Sequence, residues 1–219
     1  MKRQQFTFLV MVLSFFQMLT SPSVQAGLIY DATADFVPGL LNPNGVWSYG
    51  TEVTPGASFI VNNSYAAPSG IGFGWSGAGQ SHVSKFTSNA AGVLAGQLAM
   101  HPGSGTQISV LRFTTPQSGI YSLFSKYFTG DSGDTDFEVR HNNLQLVYRT
   151  STTGDGTFSI PNIFLNLNDT IDLMIGAKGD WSNDLTPVSL VLSAVPEPSA
   201  CLMFATATMV ISVRRRRSC

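Results

Sequence analysis

Ile108-Ser109-Val110-Leu111-Arg112-Phe113, then Pro116-Gln117-Ser118-Gly119, then Ile120-Tyr121-Ser122-Leu123-Phe124-Ser125-Lys126-Tyr127-Phe128 is a pair of alternating apolar runs joined by a turn. Period-two alternation over six to nine residues puts one apolar face against a core and identifies half-buried strands. Proline presets φ for the turn and glycine supplies freedom at its end. Working outward, the pattern repeats at Asp136–Arg140 and Leu144–Arg149, which flank His141-Asn142-Asn143 as a hairpin connection. Thr157–Ile160, Thr170–Ile175 and Val188–Ser193 continue it toward the C-terminus, and helical periodicity is weak throughout. Strands every 8–12 residues or so, punctuated by Gly, Pro and Asn, predict an all-β, jelly-roll-like β-sandwich.

Upstream, Gly45–Gly50 and Ser58–Val61 read as strands, and Val93–Met100 as a strand leading into His101-Pro102-Gly103. Gly70–Gly79 holds five glycines around Phe73 and Trp75 and reads as a long loop. No repeat or charge run divides residues 27–194, so they form one domain, with a short linker at Ala194–Glu197.

The two ends differ in character from this module. Lys2-Arg3, the apolar Phe6–Leu19 and the small-residue site Val24-Gln25-Ala26 make residues 1–26 a signal peptide, cleaved after Ala26 and helical in its apolar part. At the other end, Val195-Pro196-Glu197-Pro198-Ser199 precedes the apolar run Ala200–Val213 and then Arg214, Arg215, Arg216 and Arg217. The apolar run has no Gly, Pro or charge and predicts a hydrophobic, transmembrane-like helix. At 1.5 Å per residue it reaches roughly 21 Å, short of a hydrocarbon core of about 30 Å. The arginines hold their side in the cytoplasm, which leaves Pro196-Glu197-Pro198 extended outside the membrane. A plain single-span anchor with a basic stop is the alternative.

The order of these three parts in residues 195–219 resembles the PEP-CTERM sorting signal of bacteria. That resemblance implies recognition by an exosortase-type processing enzyme, transient membrane contact through the C-terminal helix, and delivery to the cell surface or extracellular matrix.

Removing both ends changes the charge balance. The whole chain has net charge −1, but residues 27–194 carry twelve acids against six bases, a net charge of −6. Phosphate neutralisation needs the opposite balance, so nucleic acid is not an expected partner. Both cysteines, Cys201 and Cys219, lie in the tail, leaving the module without disulfide or thiolate chemistry.

Several segments are similar to those of secreted jelly-roll carbohydrate-binding modules of bacteria: Asn42–Gly50, Met100-His101-Pro102-Gly103, Arg112–Pro116 with Gly119-Ile120-Tyr121, Phe128–Gly133 leading to Asp136–Val139, Asn168–Asp172 and Trp181-Ser182-Asn183-Asp184. The resemblance implies a sandwich and supplies no ligand.

Sugar recognition uses exposed aromatic rings with polar neighbours. Trp75 in the glycine-rich segment and Trp181, followed by Asn183 and Asp184, are candidates; Trp47 lies in an alternating strand and reads as core. His101 reads equally as a turn residue or as the rim of a site. Asp131, Asp134 and Asp136 are closely spaced hard-oxygen donors of the kind calcium prefers, although the stretch lacks the closing glutamate of an EF-hand, and solvated turn acids are the alternative. No other cofactor is expected. Zinc gains no support, because His82, His101 and His141 are far apart in sequence and the module has no cysteine. Asp136 and Glu138 share one strand face but form a weak catalytic pair, and no nucleophile elbow is present. The expectation is a non-catalytic exported protein that binds polysaccharide. A purely structural matrix protein and, less favoured, a secreted glycan-active enzyme are the alternatives.

Overall fold

The computed structural model describes residues 27–39, 41–66 and 71–196. The signal segment 1–26 and the sorting-signal residues Glu197, Pro198 and Arg214–Arg217, with the apolar run between them, lie outside the described residues; Pro196 is exposed. Among the described residues no helix is long and apolar enough to cross a membrane.

Leu28–Val195 is one compact unit. Its strands are β1 (Ile29–Asp31), β2 (Trp47–Glu52), β3 (Ile60–Val61), β4 (Ser64–Ala66), β5 (Gly72–Ser76), β6 (His82–Phe86), β7 (Leu98–His101), β8 (Ile108–Thr114), β9 (Gly119–Tyr127), β10 (Thr135–His141), β11 (Leu144–Arg149), β12 (Gly156–Leu165), β13 (Thr170–Ala177) and β14 (Thr186–Ala194). They form two sheets, ordered β12-β9-β14-β7-β6-β5-β4, with β1 beside β14, and β11-β10-β13-β8-β2-β3. Every pairing is antiparallel. The all-β sandwich expected from the alternation is what the chain builds.

The alternation explains the core. Along β9, Tyr121, Leu123, Ser125 and Tyr127 point inward while Ile120, Ser122, Phe124 and Lys126 point out. The inner faces interleave Trp47, Tyr49, Phe113, Leu123, Phe137, Leu173 and Leu190 in one cluster. The Trp47 and Phe113 rings lie 5.3 Å apart, tilted by 58°, a geometry that favours aromatic pairs. The Trp47 indole N–H donates to Asp35 at 2.9 Å, so its one polar atom is satisfied on burial. The predicted hairpin is a two-residue turn: Asn142 and Asn143 take φ of +47° and +67°, the pair of positive values that a type I′ turn demands.

Two sequence expectations fail, for physical reasons. The Gly70–Gly79 segment is not a long loop; Gly72–Ser76 is a strand paired on both sides. A Cβ on Gly74 would lie 2.3 Å from the Val83 carbonyl oxygen and the Ser84 hydroxyl, so glycine here marks close backbone approach. The strand expected over Val93–Met100 is confined to Leu98–His101. Val93 instead bridges to Ala90 and packs with Phe86, Ala99 and Leu185 in a satellite cluster.

Candidate ligand groove

The outer face of the second sheet carries alternating charges that the core cannot accept. Glu52 on β2, Arg112 on β8, Asp172 on β13, and Glu138 and Arg140 on β10 all point away from the core. Arg112 grips Asp172 with Nε at 2.6 Å and Nη2 at 2.8 Å. Arg140 Nε donates to Glu138 at 2.7 Å. The Phe59 ring lies over Arg112, 4.0 Å from its guanidinium carbon, and packs beside Ile108, Val110 and Met174. Gly50 is required beneath it, since a Cβ there would meet the ring at 2.3 Å.

Toward the start of β10 and the end of β13, on the same face, a groove of about 420 Å³ opens. Ile108, Met174 and Gly176 line it with apolar surface, Asp136, Glu138 and Tyr148 contribute polar groups, and the Val53–Pro55 and Gly105–Thr106 segments complete the lining. Tyr148 is 40% exposed, while Glu138 is buried. Burial, against the opposing pull of Arg140, raises the Glu138 pKa. Partial burial, and then Asp136 beside it, raise that of the Tyr148 hydroxyl, so it remains a donor. An apolar floor, an accessible ring and carboxylate acceptors suit a polyhydroxylated ligand. The two carboxylates stand side by side on one strand rather than facing one another across the groove, as glycosidic hydrolysis requires.

The sequence-predicted residues are distributed differently. Trp75 is buried, not exposed, with its ring edge-on to Tyr65 at 5.2 Å; its strand places it on the core side beside Val83. Trp181 and His101 do come together, edge to face at 6.0 Å. Asn183 is exposed and holds the loop through its carbonyl, which accepts from Gly133 N–H. Asp184 is buried, and among the described residues neither carboxylate oxygen has a hydrogen-bond partner. Burial first, and then Asp180, Asp134 and Asp131, push its pKa up to about 7.

The three acids named for calcium do not share a centre. Asp136 faces the groove, Asp134 binds Lys178 Nζ at 2.8 Å, and Asp131 accepts from its neighbour Ser132 N–H. Among the described residues no three His, Cys, Asp or Glu side chains gather to hold a metal.

Tyr148 and Met174 were not singled out by sequence. Their strands were legible, but which face each side chain takes depends on register. A β-bulge between Val139 and Arg140 sets Tyr148 opposite Glu138. Carried straight from the turn, the register would set Tyr148 opposite Phe137, on the core side.

No protein-family model matches the chain, and no curated protein does. Among solved structures it is similar to a CBM51 from Clostridium perfringens GH95 in complex with methyl-galactose, at 14% identity over 54% of this chain and 78% of that one, TM-score 0.32. A family 35 carbohydrate-binding module from Clostridium thermocellum is similar at 13% identity over 76% and 90%, TM-score 0.28. Pika GITRL is similar at 16% identity over 41% and 75%, TM-score 0.29. Superpositions this loose join differently named proteins and do not define a common site.

Proposed function

We propose that this chain is an exported, non-catalytic protein of the cell surface or extracellular matrix whose jelly-roll-like sandwich binds polysaccharide in the groove of the second sheet. The groove is the observation that carries this reading. Tyr148 supplies a ring for an apolar sugar face, Asp136 accepts hydroxyl hydrogen bonds, and Ile108 and Met174 give the floor. The acidic module favours neutral or cationic glycans over polyanions. Delivery by an exosortase-type enzyme, with Pro196, Glu197 and Pro198 as the recognised motif, rests on the tripartite tail.

Affinity electrophoresis of the full chain through gels of neutral and cationic polysaccharides tests the binding. Retardation by at least one, lost in Tyr148→Ala and weakened in Asp136→Asn, is expected. Mobility that no polysaccharide alters, or retardation that both variants keep, rejects the groove.

A further inference from the structure

The groove of the second sheet carries charge of one sign. Among the described residues that line it, Asp136 and Glu138 are acidic and none is basic. Glu138 has its own counter-charge, Arg140 at 2.7 Å. Arg112 is taken up by Asp172 and Glu52, and Lys178 by Asp134. Arg149 stands opposite Phe137, at the position alternate to Tyr148, and donates to a backbone carbonyl. Among the described residues, then, no Lys, Arg or His forms an ion pair with the Asp136 carboxylate. Its surroundings leave room for a cation. The partner of Asp136 across the ladder on β13 is Gly176, so no side chain stands beside it on that strand. A Cβ at Gly176 would already touch the Asp136 Cβ, at 3.8 Å. On the other side, Tyr148 lies opposite Glu138 and so diagonal to Asp136, at about 7–8 Å between backbones, a span that one pyranose unit bridges.

We propose that the groove selects glycans with free amino groups, holding a hexosamine unit whose ammonium pairs with Asp136 while its ring lies against Tyr148. This rests on the groove being a polysaccharide site and narrows the ligand from glycans in general to one class. In a cleft lined by one sign of charge, low-dielectric walls concentrate the field and draw in ions of the opposite sign. A hydrogen bond between ammonium and carboxylate is shorter and roughly twice as strong as one between neutral groups. The face of the Tyr148 ring attracts a cation as well, and Ile108 and Met174 accept the C–H surface of the sugar. A sugar with hydroxyls alone offers Asp136 only neutral donors, as water does, and gains less by entering. An N-acetylated unit presents a neutral amide in the same place, and a uronic acid brings a second carboxylate that Asp136 repels.

The test is affinity electrophoresis of the full chain through gels containing glycol chitosan, the same polymer N-acetylated, or dextran, at a pH where the amines are protonated. Glycol chitosan should retard the chain with an apparent affinity at least about tenfold above that of its N-acetylated form. Asp136→Asn should lose that excess. Asp155→Asn, the same charge change at an exposed acid beside β12 of the first sheet, should keep it, which separates the groove from the net charge of the module. Equal retardation by the two polymers, an excess that Asp136→Asn retains, or one that Asp155→Asn loses as fully overturns the selectivity. If a neutral glycan still retards the chain through Tyr148, the groove stands without its amine preference; if no polysaccharide does, both fall.

Discussion

Arg112 holds Asp172 through two parallel N–H···O contacts across adjacent strands, with the carboxylate 1% exposed and the guanidinium 18% exposed. The pair lies on the outer face of the second sheet, with the Phe59 ring over the guanidinium. Removing one partner strands a charge in a buried place. Arg112→Leu should therefore cost about 3–5 kcal/mol. The double variant Arg112→Leu/Asp172→Leu should recover only part of that loss, because buried Glu52, 3.6 Å from Arg112, still loses its cation. Urea midpoints at constant m-value report both.

Asp184 predicts a pH dependence with a definite sign. Its folded pKa, about 7, lies above the ordinary 3.8, so between those values the folded chain holds a proton that the unfolded chain has released. Stability should fall as pH rises through that window and level off above it. Glu52 and Glu138, also raised by burial, contribute the same sign. The diagnostic quantity is thus the difference between parent and Asp184→Asn. The variant should melt higher than the parent at pH 8, with the gap closing by pH 4.

Trp75 and Tyr148 should separate stability from binding. Trp75 is packed in the main core, and Trp75→Ala should cost about 3–5 kcal/mol. Tyr148→Ala removes a partly exposed ring and should leave the melting temperature within a few degrees of the parent while abolishing polysaccharide retardation. Equal destabilisation by both would contradict this placement.

The hairpin turn distinguishes two asparagines of equal backbone strain. Among the described residues the Asn143 side chain makes no hydrogen bond, so Asn143→Gly should relieve its positive φ and stabilise by a few tenths of a kcal/mol. Asn142 accepts from Thr170 N–H at 2.8 Å and donates to Asp169 at 2.8 Å. Asn142→Gly should therefore destabilise by about 1 kcal/mol. Thermal melts of the two variants should move in opposite directions.

Strand identity was readable wherever one face is buried and the other wet, as along β9, because alternation then marks the core directly. It fails at β5, where the glycine-rich pattern reads as a loop although Gly72 and Gly74 mark close contact with β6. Trp75 was misplaced with them. Asp184 reads in the sequence as a polar neighbour of Trp181, and its burial is not legible there because a buried loop residue leaves no periodic trace.

The amino-acid order by itself determined that the module is all-β, that its core is built on residues such as Trp47, Phe113 and Leu123, and that its hairpin turns at Asn142-Asn143. These follow from local periodicity and backbone preference. Tertiary structure alone decided which distant residues meet. The bulge at Val139/Arg140 turns Tyr148 from the core to the groove, and the pairing of β6 with β7 sets His82 against His101. Register arises from packing between strands far apart in the chain, and a shift of one residue reverses every side chain.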